Sequence, residues 1–248
     1  SKFMSDAAMS WQSQVWVIII PTILYAVLFF GQAFPKPKAA ESNVGANFKA
    51  MLNPLYLFML ACMALTAISE FGPQNWVGPI LSKAGASPML VLALVTGLMA
   101  VGRYFAGPII AKINTVGVLL FSAIFAFIGL YLMSSMSGST LYFAAFIYGL
   151  GICFFWPNMI GFVAENMPET GALGLSIMGG LGMFSSSIFQ PIIGGWIDGH
   201  KATQLAAGLA GDAADLAAGQ ATLSNMMLFP GILIVVFAVL YFTRRKAA

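Results

Sequence analysis

The chain has 248 residues, of which 60% are hydrophobic and 8% charged, with a net charge of +3. A water-soluble domain carries about 25% charged residues, so this composition excludes one. No cluster combines several basic residues with aromatics, which excludes a nucleic-acid surface.

A helix needs about 20 mostly apolar residues to cross roughly 30 Å of hydrocarbon. Seven stretches qualify: 14–33, 54–80, 88–110, 115–135, 139–164, 171–196 and 224–243. None alternates polar with apolar residues, so the backbone groups must be satisfied within helices rather than in a barrel. The predicted fold class is an all-α membrane protein with seven transmembrane helices. The first run is too long for a signal peptide and lacks a small-residue cleavage site. The chain begins at Ser1 rather than at Met, which reads as a fragment or a processed product. Residues 34–53, opened by Pro35-Lys36-Pro37-Lys38, form a polar loop.

The second stretch carries Glu70 after the apolar run Leu55–Ile68. On a helix starting near Pro54 it lies ~24 Å along the axis, at 1.5 Å per residue. An ionised carboxylate inside the membrane costs about 3 kcal/mol or more, so the default reading is functional, as a proton site or a solute ligand. The plainer alternative ends the helix at Phe71 and leaves Glu70 at the interface. Gly72-Pro73 is expected to break or bend the helix, exposing backbone groups to a cavity. Gln74, Asn75 and Trp76 follow at once. Two amides and an indole suit hydroxyl groups and the face of a sugar ring, or else they are interfacial residues.

Arg103 and Lys112 flank the third-to-fourth connection. In the fifth stretch, Trp156-Pro157-Asn158 offers a stacking face, a kink and hydrogen bonds, against the alternative of a packing Trp and a capping Asn. Glu165 lies at the end of this stretch, and a salt bridge with Arg103 there would be weak enough to break as the helices rock, against the alternative of two independent positive-inside and headgroup contacts. In the sixth, Gly174, Met178, Gly182, Ser186, Gln190 and Gly194 recur every four residues. Such a small-residue face permits close helix approach, and Gln190-Pro191 adds a polar group and a kink. Residues 202–222 are rich in Ala and Gly and carry Asp212 and Asp215. They read as an extended external loop, with a surface helix as the variant. Cys62 and Cys153 fall in apolar runs and read as buried thiols.

Orientation follows from the loop charges. One side holds Lys36, Lys38, Lys49, Arg103, Lys112, Arg244, Arg245 and Lys246; the other holds Lys2, Lys83 and Lys201. This bias places the N-terminus outside and the C-terminus in the cytoplasm. A retinal protein needs a lysine in the last span, and 224–243 has none; a receptor's outer-loop disulfide lacks cysteines. The single histidine, His200, has no nucleophilic or metal-ligating partner pattern around it, and no phosphate-binding loop occurs. The chain therefore reads as a non-enzyme with no cofactor.

Several of these motifs resemble the major facilitator superfamily. Gly102-Arg103-Tyr104-Phe105-Ala106-Gly107-Pro108-Ile109-Ile110-Ala111-Lys112 is similar to that family's loop motif between spans eight and nine. The usual acidic residue is missing. Trp156 to Glu165 resembles span ten of sugar porters, where the Trp contacts sugar and the Glu joins a cytoplasmic charge network. Glu70 with its glycine-containing break looks like span seven of sugar–proton symporters, and Gln190 to Asp198 like span eleven.

The resemblance implies spans six to twelve: an external segment and preceding helix at 1–33, a cytoplasmic inter-domain loop at 34–53, and a C-terminal six-helix transport bundle at 54–248. It implies alternating access for a sugar or related solute. Gln74, Asn75, Trp76, Trp156, Asn158 and Gln190 would bind the solute. Glu70 would couple a proton, or sodium in its place, and Arg103 with Glu165 would gate the cytoplasmic side. The partners are the solute, the bilayer of a bacterial inner membrane, and a missing N-terminal half or a second half-transporter. A non-transporting accessory protein and a seven-span receptor are the alternatives. Green fluorescent protein fused after Ala248 is expected to fluoresce and alkaline phosphatase to stay inactive there; the opposite pattern would reverse the orientation.

Overall fold

The computed structural model describes residues 10–33 and 43–245. The chain divides into two compact units, Ser1–Glu41 and Ser42–Ala248. In the first, helices α1 (Trp11–Trp16) and α2 (Ile19–Phe29) follow one another, with Ser10 capping α1 by accepting from the Ser13 amide. The second unit contains α3 (Val44–Met51), α4 (Pro54–Lys83), α5 (Pro88–Tyr104), α6 (Ala106–Ser135), α7 (Thr140–Ile152) and α8 (Phe155–Asn166). A 3₁₀ turn at Pro168–Thr170 leads to α9 (Gly171–Ala206), α10 (Gly211–Met226) and α11 (Leu228–Arg245).

Proline placement explains four of the interruptions. Pro21, Pro108, Pro157 and Pro230 are each the third residue of a resumed helix: α2, α6, α8 and α11. A proline has no N–H for the carbonyl four residues earlier, and its ring clashes there. The chain leaves helical bonding in the turn before the proline and resumes with the proline in the first turn, where its missing N–H costs nothing.

These breaks bear on the predicted spans. Among the described residues, five helical segments are long and apolar enough to cross a membrane: Pro54–Gly78, Ala106–Ser135, Thr140–Asn166, Pro168–Ala206 and Gly211–Thr243. The stretches 14–33 and 88–110 contain the shorter apolar helices Ile19–Phe29 and Pro88–Tyr104. The break ahead of Pro108 ends the latter early. The connection to the next span then falls at Asn114, whose φ of 57° stops the helix and whose Oδ1 accepts from the Gly117 amide at 2.8 Å.

Three expectations need correction. Part of the polar stretch 34–53 is helical: Asn43 caps α3, whose Asn47 and Met51 are buried, and Asn47 sits against Gly171, where φ is +60° and a Cβ would crowd its amide. Residues 202–222 are not an extended loop. α9 continues to Ala206, and α10 buries Ala214, Ala218, Gly219 and Thr222. Alanine is the best helix former, and this small-residue face lets α10 lie close on α4: a Cβ at Gly219 would come 2.6 Å from Ile80. Finally, Gly72-Pro73 does not break α4, which runs unbroken from Pro54 to Lys83. Pro73 strands the Ser69 carbonyl, and the buried Tyr148 hydroxyl of α7 donates to that oxygen at 2.9 Å.

α4 is the central element of the bundle, packed most extensively on α9 and flanked by α5, α8, α10 and α11. α6 lies against α7 more closely than any other pair. Gly129 abuts the Tyr148 backbone and Gly151 abuts the Ala126 backbone, so a Cβ at either would overlap main chain. Cys62 and Cys153 are buried and free. Phe184, Ile188 and Ile192 on α9 and Val235, Val239 and Phe242 on α11 are exposed. In hydrocarbon such stripes face solvent of their own kind.

Gly151→Val is expected to cost about 3 kcal/mol or more, because backbone rather than a side-chain tip must move. Gly161, with open space around its Cβ position, is expected to tolerate Ala with a gain of up to about 1 kcal/mol. Unfolding of the detergent-solubilised protein by SDS titration measures both.

Candidate functional site

Glu70 sits near the middle of the 30-residue α4 and is 2% exposed. Its Oε1 lies 3.6 Å from Nη2 of Arg103. That is ion-pair range, longer than the roughly 2.7–2.9 Å of a charge-assisted hydrogen bond. Its Oε2 is buried without a hydrogen-bond partner. An acceptor in this state is costly to the fold.

Arg103 reaches this position from the last turn of α5. Gly102 makes room for it: a Cβ there would come 2.6 Å from the Cys153 sulfur. The Arg103 Nε donates to the Cys153 carbonyl at 2.9 Å, the oxygen stranded by Pro157. One guanidinium therefore satisfies a backbone acceptor between α7 and α8 and neutralises a carboxylate on α4. Arg103 was expected beside a loop and paired with Glu165. It lies instead about eleven residues before the Asn114 turn, ~16 Å at 1.5 Å per residue, and among the described residues its ionic partner is Glu70. Glu165 is exposed near the end of α8. Setting Arg103 aside, the loop charges that fix the expected orientation become seven against three.

A second group of expected residues meets on the α4–α9 face. The Trp76 indole donates to Gln190 Oε1 at 2.8 Å, and Gln190 Nε2 donates to the Phe71 carbonyl at 3.3 Å. Phe71 meets Trp156 edge-on, with ring centroids 5.7 Å apart. The four-residue stripe on α9 accommodates these rings: a Cβ at Gly182 would lie 3.0 Å from Trp156 and one at Gly194 would lie 3.4 Å from Trp76. Trp76 also lines a cleft of about 220 Å³ with Asp198, Lys201 and Asp215. Two ion pairs bind this end of the bundle, Lys83 with Asp212 and Lys201 with Asp215.

The remaining candidates lie apart. Gln74 faces α5, its Nε2 3.9 Å from the Met99 sulfur, beside a void of about 10 Å³ that has room for one water at most. Asn75 is exposed. Asn158 is buried, and its side-chain amide donates at 2.9 Å to the Phe154 carbonyl, which also accepts from the Asn158 main-chain N–H.

Residues 1–190 match the profile of the Major Facilitator Superfamily. The chain belongs to this superfamily, whose members are secondary transporters, and it is an integral membrane protein whose partners are a small solute and the lipid bilayer. Neither a curated protein nor a solved structure matches it.

Arg103→Met is expected to destabilise the protein by about 1–2 kcal/mol more when Glu70 is present than in a Glu70→Gln background, since the guanidinium is partly exposed and a fully buried pair would lose more. A double-mutant cycle on detergent thermal unfolding measures the coupling.

Proposed function

We propose that the chain is the C-terminal half, spans six to twelve, of a proton-coupled carrier of a small polar solute such as a sugar or related metabolite, working by alternating access. One observation carries the reading: Glu70 is a buried carboxyl within the apolar segment Pro54–Gly78, with one oxygen unpartnered and a cation beside it. A group with that geometry takes up and releases a proton as Arg103 approaches or withdraws, because Arg103 has the Cys153 carbonyl as a second acceptor to hold. Trp76, Trp156 and Gln190 supply the solute wall, as two aromatic faces and an amide gathered on one side of α4. Asn75 borders that wall from solvent. Gln74 and Asn158 are left out, since Gln74 faces α5 beside a void with room for one water at most and Asn158 is buried within the bundle. Arg103 and Glu165 are likewise left out as a gating pair.

The exposed face of α9 supports a second half. Ser176, Ile177, Gly180, Leu181 and Phe184 line an open groove of about 460 Å³, against which another helical bundle packs closely through small residues. The setting is a bacterial inner membrane with the C-terminus in the cytoplasm.

Proteoliposomes holding the chain joined to an N-terminal half test this with a panel of radiolabelled sugars. Glu70→Gln is expected to abolish accumulation driven by a pH gradient while leaving counterflow in place. Trp156→Ala and Gln190→Ala are each expected to raise the KM tenfold or more. Accumulation that follows a sodium gradient instead would reassign the coupling ion, and absence of counterflow for every sugar would favour an accessory role.

A further inference from the structure

We infer that Tyr148 is a positioning residue for Glu70, acting as a replacement for the backbone N–H that Pro73 removes. The inference rests on Glu70 being the coupling carboxyl. Pro73 lies four residues after Ser69, inside an unbroken helix. In a membrane the stranded Ser69 carbonyl has no water to bond. The Tyr148 hydroxyl supplies the donor, 2.9 Å from the Ser69 oxygen and 2.9 Å from the Glu70 oxygen. Tyr148 is 1% exposed, and Gly129 of α6 fits flat against its backbone. Its hydroxyl therefore has one place to be.

The same device occurs at the other side of Glu70. Pro157 strands the Cys153 carbonyl, and Arg103 caps it at 2.9 Å. Two prolines on two helices thus leave two acceptors, and each is capped from a neighbouring helix. Both caps converge on one carboxyl: Tyr148 holds the main chain at Glu70, and Arg103 faces its side chain. The proline frees α4 to bend at Glu70, and the hydroxyl sets how far. When the bond is made, the carboxyl is fixed opposite Arg103; when it is broken, α4 hinges and the carboxyl is released towards the pathway.

The test follows the rate at which dicyclohexylcarbodiimide, which modifies protonated carboxyls in apolar surroundings, labels Glu70 in the intact chain, read by mass spectrometry of the Glu70 peptide. Tyr148→Phe is expected to label at least threefold faster than the parent. Adding Pro73→Ala restores an N–H opposite Ser69 and should return the rate to within twofold of the parent. Adding Pro191→Ala, which restores an N–H on α9, should not. Equal labelling of Tyr148→Phe and the parent, or rescue by neither or both alanines, overturns the assignment. If Tyr148→Phe does not accumulate in membranes, the same comparison is read as recovery of folded protein, and recovery with Pro73→Ala alone supports the assignment while equal loss overturns it. Labelling needs no solute, so a failed cycle is separable from a failure of pH-driven uptake in Glu70→Gln, which overturns the coupling reading instead.

Discussion

A carbonyl oxygen in hydrocarbon has no water to turn to, and a proline beyond the first turn of a membrane helix creates one such oxygen in need. At five of its prolines this chain meets that constraint in two ways. At Pro21, Pro108, Pro157 and Pro230 the helix stops and restarts. At Pro73 it carries on, because a tyrosine from α7 supplies the missing donor. At Pro157 both occur together: the helix restarts, and Arg103 still takes the stranded acceptor. The arginine's second interaction is with Glu70, so the ionisable pair is built on a backbone repair.

Much of the fold was legible. Hydrocarbon demands long uncharged runs, and the runs 54–80, 115–135 and 139–164 overlap the apolar helical segments Pro54–Gly78, Ala106–Ser135 and Thr140–Asn166. The four-residue stripe from Gly174 to Gly194 was readable as a packing face, and aromatic rings of α4 and α8 lie on it. Residues 202–222 were misread for a physical reason. Two aspartates and scattered glycines resemble a polar loop, but the aspartates face exposed lysines while Ala214, Ala218 and Gly219 carry the packing. Small residues count as weak in a hydropathy sum, yet between membrane helices they permit the closest approach.

The site was legible in part. Glu70 stood out because a lone acid in an apolar run is costly wherever it faces. Trp76, Gln190 and Trp156 stood out as polar or aromatic residues in spans; Trp76 and Gln190 do meet, and Trp156 reaches the same stretch of α4 through Phe71. The partner of Arg103 was misplaced, since the order of a charge in sequence says little about how deep a helix carries it past its neighbours. Tyr148 went unseen. A tyrosine in an apolar run gives no sign that its hydroxyl meets a carbonyl stranded 79 residues away; only the pairing of a proline on one helix with a donor on another does so.

The amide of Gln190 grips α4 at two levels, taking the Trp76 indole and giving to the Phe71 carbonyl. Those attachment points are about one and a half helical turns apart, ~7.5 Å along the axis. A strut with two such footings resists shear, so α4 and α9 cannot slide lengthwise past each other without losing both. Held so, they form a single plank, and an opening of the bundle falls to the seams that this plank shares with α5, α8, α10 and α11.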